Sequence, residues 1–412
     1  MDIMKKALEG IRVLDWTILQ QGPMAGVMLG DLGAEVIKIE SRSGDFGRPL
    51  EKYRNWYGMD AVLTEEPGKE RNLYFETCNR NKKGITIDLK KPESREIIKR
   101  LVKNSDVLLQ NFRVGVAERL GMDYKTLSAY NPRLIYVHSS GLGDEGEDAA
   151  MGLIDPIAQA RTGIMFANGN EEPEMQVGAI ADQMGGVMGA FAVLAGLAAR
   201  ERTGKGQEVQ TSLMAGMATL HWVNLVCAAN LGRAMPYYDR SAPKTNPLCN
   251  HYKCSDGKWV MIGCHEDRFW PTFCKVMELE ELEHDPRFDT SNKRRADSKE
   301  FVAIVDKAFA RRSSEEWLKL YVENGLLIGP VHNLKDLTAD PQMWANGYME
   351  KYHHPALDRD LNIVRLPIVL KDTPVCTQRP APLLGEHNEE VLREVAGFTE
   401  EEIEAFASKE VI

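Results

Sequence analysis

Ile11-Arg12-Val13-Leu14-Asp15 and Glu35 to Glu40 (EVIKIE) are short apolar runs separated by one helix-length segment, which Pro23 can open and Gly33 can close. A strand, a helix and a strand spaced this tightly make a βαβ unit, and strands joined in that way lie parallel. The rhythm continues through strands at Gly84 to Leu89, Asp106 to Leu109 and Leu134 to His138, with helices at Pro92 to Lys103 and near Tyr124 to Tyr130. At Ser139-Ser140 the chain enters a glycine-rich loop. The expected fold class is therefore α/β, with a Rossmann-like, doubly wound large domain.

With 412 residues the chain exceeds one ordinary core and calls for two domains. The polar segment Ser41 to Lys83, rich in Gly and Pro, is long enough to be functional or mobile. It ends in Asn79-Arg80-Asn81-Lys82-Lys83, which reads either as a solvated turn or as a phosphate-binding edge. After an apolar helix that includes Asp182, Glu208 to Leu213 alternates as a strand and Met214 to Leu231 reads as a second long apolar helix. Asp239 to Asn250 has linker composition, and His251 to Gly263 is a hairpin turning at Asp256-Gly257. Helices follow at about 266–280, 293–311 and 314–324, the last opened by a Ser313 to Glu316 capping box. An alternating stretch, Ile363 to Leu370, and an acidic helix, Thr399 to Ala407, lie in a tail that is too short to stand alone and is expected to return to the first domain. The expected division is a large domain of 1–212 and 340–412, a linker helix and linker at 213–250, and a small α+β domain at 251–339.

A net charge of −10 opposes general binding of nucleic acid or an anionic membrane, so an anionic ligand has to be met by local basic groups. Met1 to Gly10 has no apolar signal core, no run of about 18 residues reads as a membrane span, and the expected location is cytoplasmic. Seven scattered cysteines with no C-x-x-C pair point to free thiols. Cys249, Cys254, Cys264, His265 and Cys274 crowd one region, but at spacings foreign to common zinc sites, so no metal is expected. Gly141 to Gly146 satisfies G-x-G-x-x-G, yet its acids would face a pyrophosphate, and no G-x-S-x-G, H-E-x-x-H or Walker loop occurs.

Asp182 is the only ionisable side chain between Ala181 and Ala199, at the start of a helix that is apolar nearly all round. It reads either as an N-cap or as an acid approached by a ligand. Gly178, Gly185, Gly186 and Gly189 favour the second reading, since glycine costs a helix about 1 kcal/mol and marks close approach. An ionised, approachable carboxylate can act as a covalent nucleophile.

The segments Leu8 to Asp15, Asp31 to Glu40, Asn79 to Lys83, Asn111-Phe112-Arg113, Asn131 to Tyr136, Thr203 to Gln207 and Ala381 to His387 resemble, in the same order, those of the class III CoA-transferases. That family includes formyl-CoA transferase and carnitine-dehydratase-like proteins. The resemblance implies CoA transfer from an acyl-CoA donor to a carboxylic acid acceptor, through an aspartyl-CoA thioester on Asp182, with Gln20 steadying the carboxylate and oxyanion. It places CoA contacts on Gln21, Ile87 to Lys90, Asn111, Phe112 and Arg119, and near Arg42, because the family's arginine falls on Ser41. Asp155 would be a second polar group near the acyl chain. The resemblance implies CoA thioesters as substrates and no permanently bound cofactor. An interlocked homodimer is implied.

Related α-methylacyl-CoA racemases use the same aspartate with a histidine, but Ile154 stands at the histidine position and carries no proton. A silent subunit of a hetero-oligomeric transferase is opposed by the presence of both Asp182 and Gln20. Thr245 to Asn250 lacks the glycine run of the formyl-CoA transferase lid, which favours acids larger than oxalate or formate. Phe166, Met217 and Trp222 are either pocket or plain core.

Overall fold

A computed structural model describes residues 6–167, 172–233, 239–242 and 245–412. Residues 1–5, and 234–238 and 243–244 of the expected linker, lie outside the described residues. The chain divides into two compact units: the larger runs to Phe166, resumes over Glu172–Arg233 and returns at Trp344–Ile412, and the smaller ends at Met343.

The larger unit is built on a six-stranded sheet of β1 (Arg12–Trp16), β2 (Glu35–Glu40), β3 (Lys82–Thr86), β4 (Val107–Gln110), β5 (Ile135–Ser140) and β6 (Gln207–Ser212). The spatial order is β3-β2-β1-β4-β5-β6, and every neighbour pair is parallel. In β1, β2, β4 and β5 side chains alternate between two largely buried faces, as in a parallel sheet covered on both sides, whereas the edge strand β6 is exposed over its first half. Leu14, Ile37, Ile85 and Leu108 join one core with the helix Ser94–Lys103 and the tail helices Asn388–Glu394 and Glu400–Ser408. Val13, Val36, Val107 and Ile135 join the other with helices α1 (Gln21–Asp31) and α2 (Ile180–Thr203). By length and composition α2 could cross a bilayer; here it is a core helix with Val193 and Leu197 against the sheet.

The edge strand β3 is closed by the returning tail. Gly84 N–H donates to His387 Nδ1 at 3.1 Å, Gly84 C=O accepts from His387 N–H at 2.9 Å, and Thr86 N–H donates to Asn388 Oδ1 at 2.9 Å. The alternating stretch at 363–370 is only partly a strand: the hairpin is Met349–His354 with Arg359–Val364, and Pro367 follows. The single helix expected at 214–231 is two, Leu213–Leu220 and Trp222–Leu231, because His221 leaves helical geometry at φ −95° and ψ 11°.

In the smaller unit Cys249–Lys253 and Trp259–Gly263 form the expected hairpin, with Gly257 at φ +79° in its turn, and Ile328–Pro330 adds an unforeseen third strand. The helix expected at 293–311 is broken at Asp297 into Ser291–Ala296 and Ser298–Phe309. The capping box at Ser313 and Glu316 is present. Cys254, Cys264 and Cys274 pack in this unit's apolar core.

Candidate active site

In an open parallel sheet the crevice opens outside the carboxyl ends of the strands where their order reverses, here between β1 and β4. A cleft of about 600 Å³ opens on that side. Trp16, Glu40, Ile87 and Phe112 line it at the ends of four strands, with Ser41 to Phe46, Lys90 and Leu120 around them. The Trp16 and Phe112 rings lie 4.4 Å apart, so apolar ring surface meets the basic groups Arg42 and Lys90 in one place.

The turn after β1 carries the two glutamines. Gln20 caps α1 and its Nε2 lies 3.7 Å from Met24 Sδ. Gln21 points the other way: it is buried and donates to Ser139 Oγ at 2.7 Å. Asn111 accepts from Ile18 N–H at 2.9 Å and donates to Ile18 C=O at 3.0 Å, so its side chain pins the turn. Arg119 is exposed beside Leu120.

Asp182 lies in the first turn of α2, behind Ala179, which is left-handed at φ 55°. It is not the cap. Asp155, buried and itself the first residue of the helix Asp155–Arg161, accepts from Ala181 N–H at 2.7 Å and Asp182 N–H at 3.3 Å, and its other oxygen accepts from Gln159 Nε2 at 2.7 Å. Asp155 has thus taken the helix-terminus donors. The Asp182 side chain has no hydrogen bond or ion pair among the described residues, and burial, followed by the Asp155 charge, pushes its carboxyl up to about 7. Ile154, in front of Asp155, is exposed.

The glycines around Asp182 do a different job from the one expected. A Cβ on Gly186 would sit 3.0 Å from Gln21 O and Met24 Cβ, and one on Gly189 would sit 3.2 Å from Ala25 Cβ. What approaches this backbone is α1, because small residues let two helices pack closely; only Gly178, at φ +106°, faces open space. The phosphate-edge reading of Asn79 to Lys83 also fails. Arg80 pairs with Asp31, Lys82 is fully buried against Asp15 at 2.6 Å, and Lys83 pairs with Glu35 and Glu390. Such charges fit a folded interior because each one is paired.

The cleft therefore gathers Arg42, Ile87, Lys90 and Phe112, and leaves Gln21, Asn111 and Arg119 off its lining. Met217 is core, whereas Phe166 and Trp222 are exposed. Sequence reasoning missed Lys38, Asp45 and Tyr74. A lysine inside EVIKIE and an aspartate between Gly44 and Gly47 were the available signals. Burial, Cys78, Tyr53, Asp182 and Asp45 all raise the Tyr74 hydroxyl, so Tyr74 lies within electrostatic range of both the cleft loop and Asp182.

A profile for CoA-transferase family III matches residues 8–388. The chain is 32% identical to a succinyl-CoA:glutarate CoA-transferase of Mus musculus, over 99% of this chain and 90% of that one. It is 30% identical to an (R)-2-hydroxy-4-methylpentanoate CoA-transferase of Clostridioides difficile, over 98% and 99%. Its fold is similar to the crystal structure of a CAIB/BAIF family protein from Brucella suis, with a TM-score of 0.82, 30% identity, and coverage of 95% of this chain and 100% of that one. A match along nearly the whole chain, on a parallel sheet with its cleft at the strand ends, makes this chain a member of CoA-transferase family III and an enzyme of that class.

Proposed function

We propose that this CoA-transferase works through a covalent intermediate on Asp182. The observation that carries this reading is a carboxyl at a helix start whose side chain has no hydrogen-bond or ion-pair partner among the described residues, Asp155 having taken the helix donors; burial, followed by the Asp155 charge, pushes it up to about 7. Its lone pairs are free for a substrate. The carboxylate attacks the thioester carbonyl of the donor and the CoA thiolate leaves, giving a mixed anhydride. The thiolate then attacks the Asp182 carbonyl and expels the donor acid, leaving an aspartyl-CoA thioester. An acceptor carboxylate repeats both steps in reverse, so its acyl-CoA departs and Asp182 is restored. Gln20 donates to the oxyanion. The nucleotide end of CoA takes the cleft, with its adenine near Trp16 and Phe112 and its phosphates near Arg42 and Lys90.

The acids are dicarboxylic or 2-hydroxy acids. This is supported by what the mouse and clostridial relatives are named for and by the missing glycine run at Thr245 to Asn250. The enzyme is an interlocked homodimer, supported by the exposed apolar residues Val187, Phe191, Trp222, Val223 and Val226. Seven free cysteines support a cytoplasmic location. Hydroxylamine trapping during turnover, read by mass spectrometry, tests the covalent step. A hydroxamate on Asp182 is expected, with none in Asp182→Ala; an active preparation left unmodified at Asp182 defeats the scheme.

A further inference from the structure

The turn that carries Gln20 is held in a conformation its own residues disfavour. Leu19, a non-glycine, sits at φ 64°, where an L side chain costs about 1 kcal/mol or more. Three side chains from three other segments hold it there. Lys38, from β2, donates its Nζ to Thr17 C=O at 3.0 Å. Asn111, after β4, takes both backbone groups of Ile18. Asp45, in the loop after β2, accepts from Leu19 N–H at 3.1 Å and from Gly47 N–H at 2.8 Å. Lys38 and Asp45 are joined at 2.8 Å, and both side chains are fully buried. A buried ion pair is weak evidence of stabilisation and persists better as a device for fixing geometry. Burial alone would raise the Asp45 carboxyl, yet the Lys38 ammonium and the two backbone donors outweigh it and hold the group below its ordinary range.

We propose that Lys38, Asp45 and Asn111 are positioning residues that clamp the Thr17–Leu19 turn left-handed, so that Gln20 is aimed at the acyl group held by Asp182. This rests on the Asp182 reading above. It also gives Asn111 a task in the turn, through one donor and one acceptor of its amide. A misplacement of about 1 Å at such a group can cost roughly 100-fold in rate.

Asp45→Ala would strand Lys38 unpaired in the interior and can unfold the protein, so the part-buried Asn111→Ala carries the test, with Asp45→Asn beside it. For each variant, kcat and KM for the acyl-CoA are measured alone and in the Gln20→Ala background, together with hydrogen exchange of the peptide that holds Ile18 and Leu19. Expected are a fall of ~10-fold or more in kcat with KM within about 2-fold, exchange faster by ~10-fold in Asn111→Ala, and no further loss once Gln20 is gone. A rise in KM at unchanged kcat, fully additive losses, or exchange that does not change in Asn111→Ala overturns the clamp. If the wild-type protein transfers no CoA, the Asp182 reading falls, and the exchange measurement still decides whether the turn is clamped.

Discussion

Because burial and the Asp155 carboxylate push Asp182 up to about 7, the carboxylate form that the proposed mechanism requires is lost on the acid side of neutrality. Below that value the carboxylate fraction falls about tenfold per pH unit, so the rate is expected to show an acid limb centred near 7. Asp155→Asn removes the like charge and moves the limb to lower pH, which a rate profile of the variant checks. Stability runs the opposite way. A carboxyl raised in the folded state contributes most while protonated, below its ordinary value of 3.8, and loses that contribution as pH rises through about 7. Asp182→Asn should therefore melt like the wild type near about pH 4 and higher than it near about pH 8.5, with calorimetry as the readout. From sequence, Asp182 stood out because it is the one charge in an apolar run; its cap did not, because Asp155 lies 27 positions upstream and reaches the helix only through the fold.

The inner parallel strands were legible because both their faces are buried, so that Val13-Leu14 and Val36-Ile37 stand in short apolar runs separated by one helix length. The break at His221 was not, since its neighbours are as apolar and helix-tolerant on either side. The glycines signalled closeness correctly but could not say to what. Gly216 shows the sharpest case: a Cβ there would lie 2.9 Å from Gly185 N and Met184 C, which are backbone atoms beside Asp182 that cannot rotate away. Gly216→Ala is expected to lower stability by about 1–3 kcal/mol in urea unfolding, although alanine is the better helix former. A stabilised variant would mean that the helices Leu213–Leu220 and Ile180–Thr203 part without cost.

At the scale of the molecule, Val187 and Phe191 on one helix and Trp222 and Val223 on another are exposed apolar side chains among the described residues. For the proposed dimer, Trp222→Glu places a charge there and is expected to shift the species seen by sedimentation toward the 46.3 kDa chain; an assembly that the substitution leaves unchanged would put the interface elsewhere. The return of the tail was expected from its shortness and its apolar patches, but which edge it seals depends on His387 and Asn388 meeting Gly84 and Thr86, and no local pattern encodes a pairing at that separation. Synthesis on the ribosome runs from the first residue to the last. The strand Lys82–Thr86 emerges first, while the residues that cover its outer edge follow it by 302 positions. Through most of translation that edge presents unpaired donors and acceptors to neighbouring nascent chains, so a stalled or prematurely terminated product lacking 381–412 leaves the ribosome as an aggregation template.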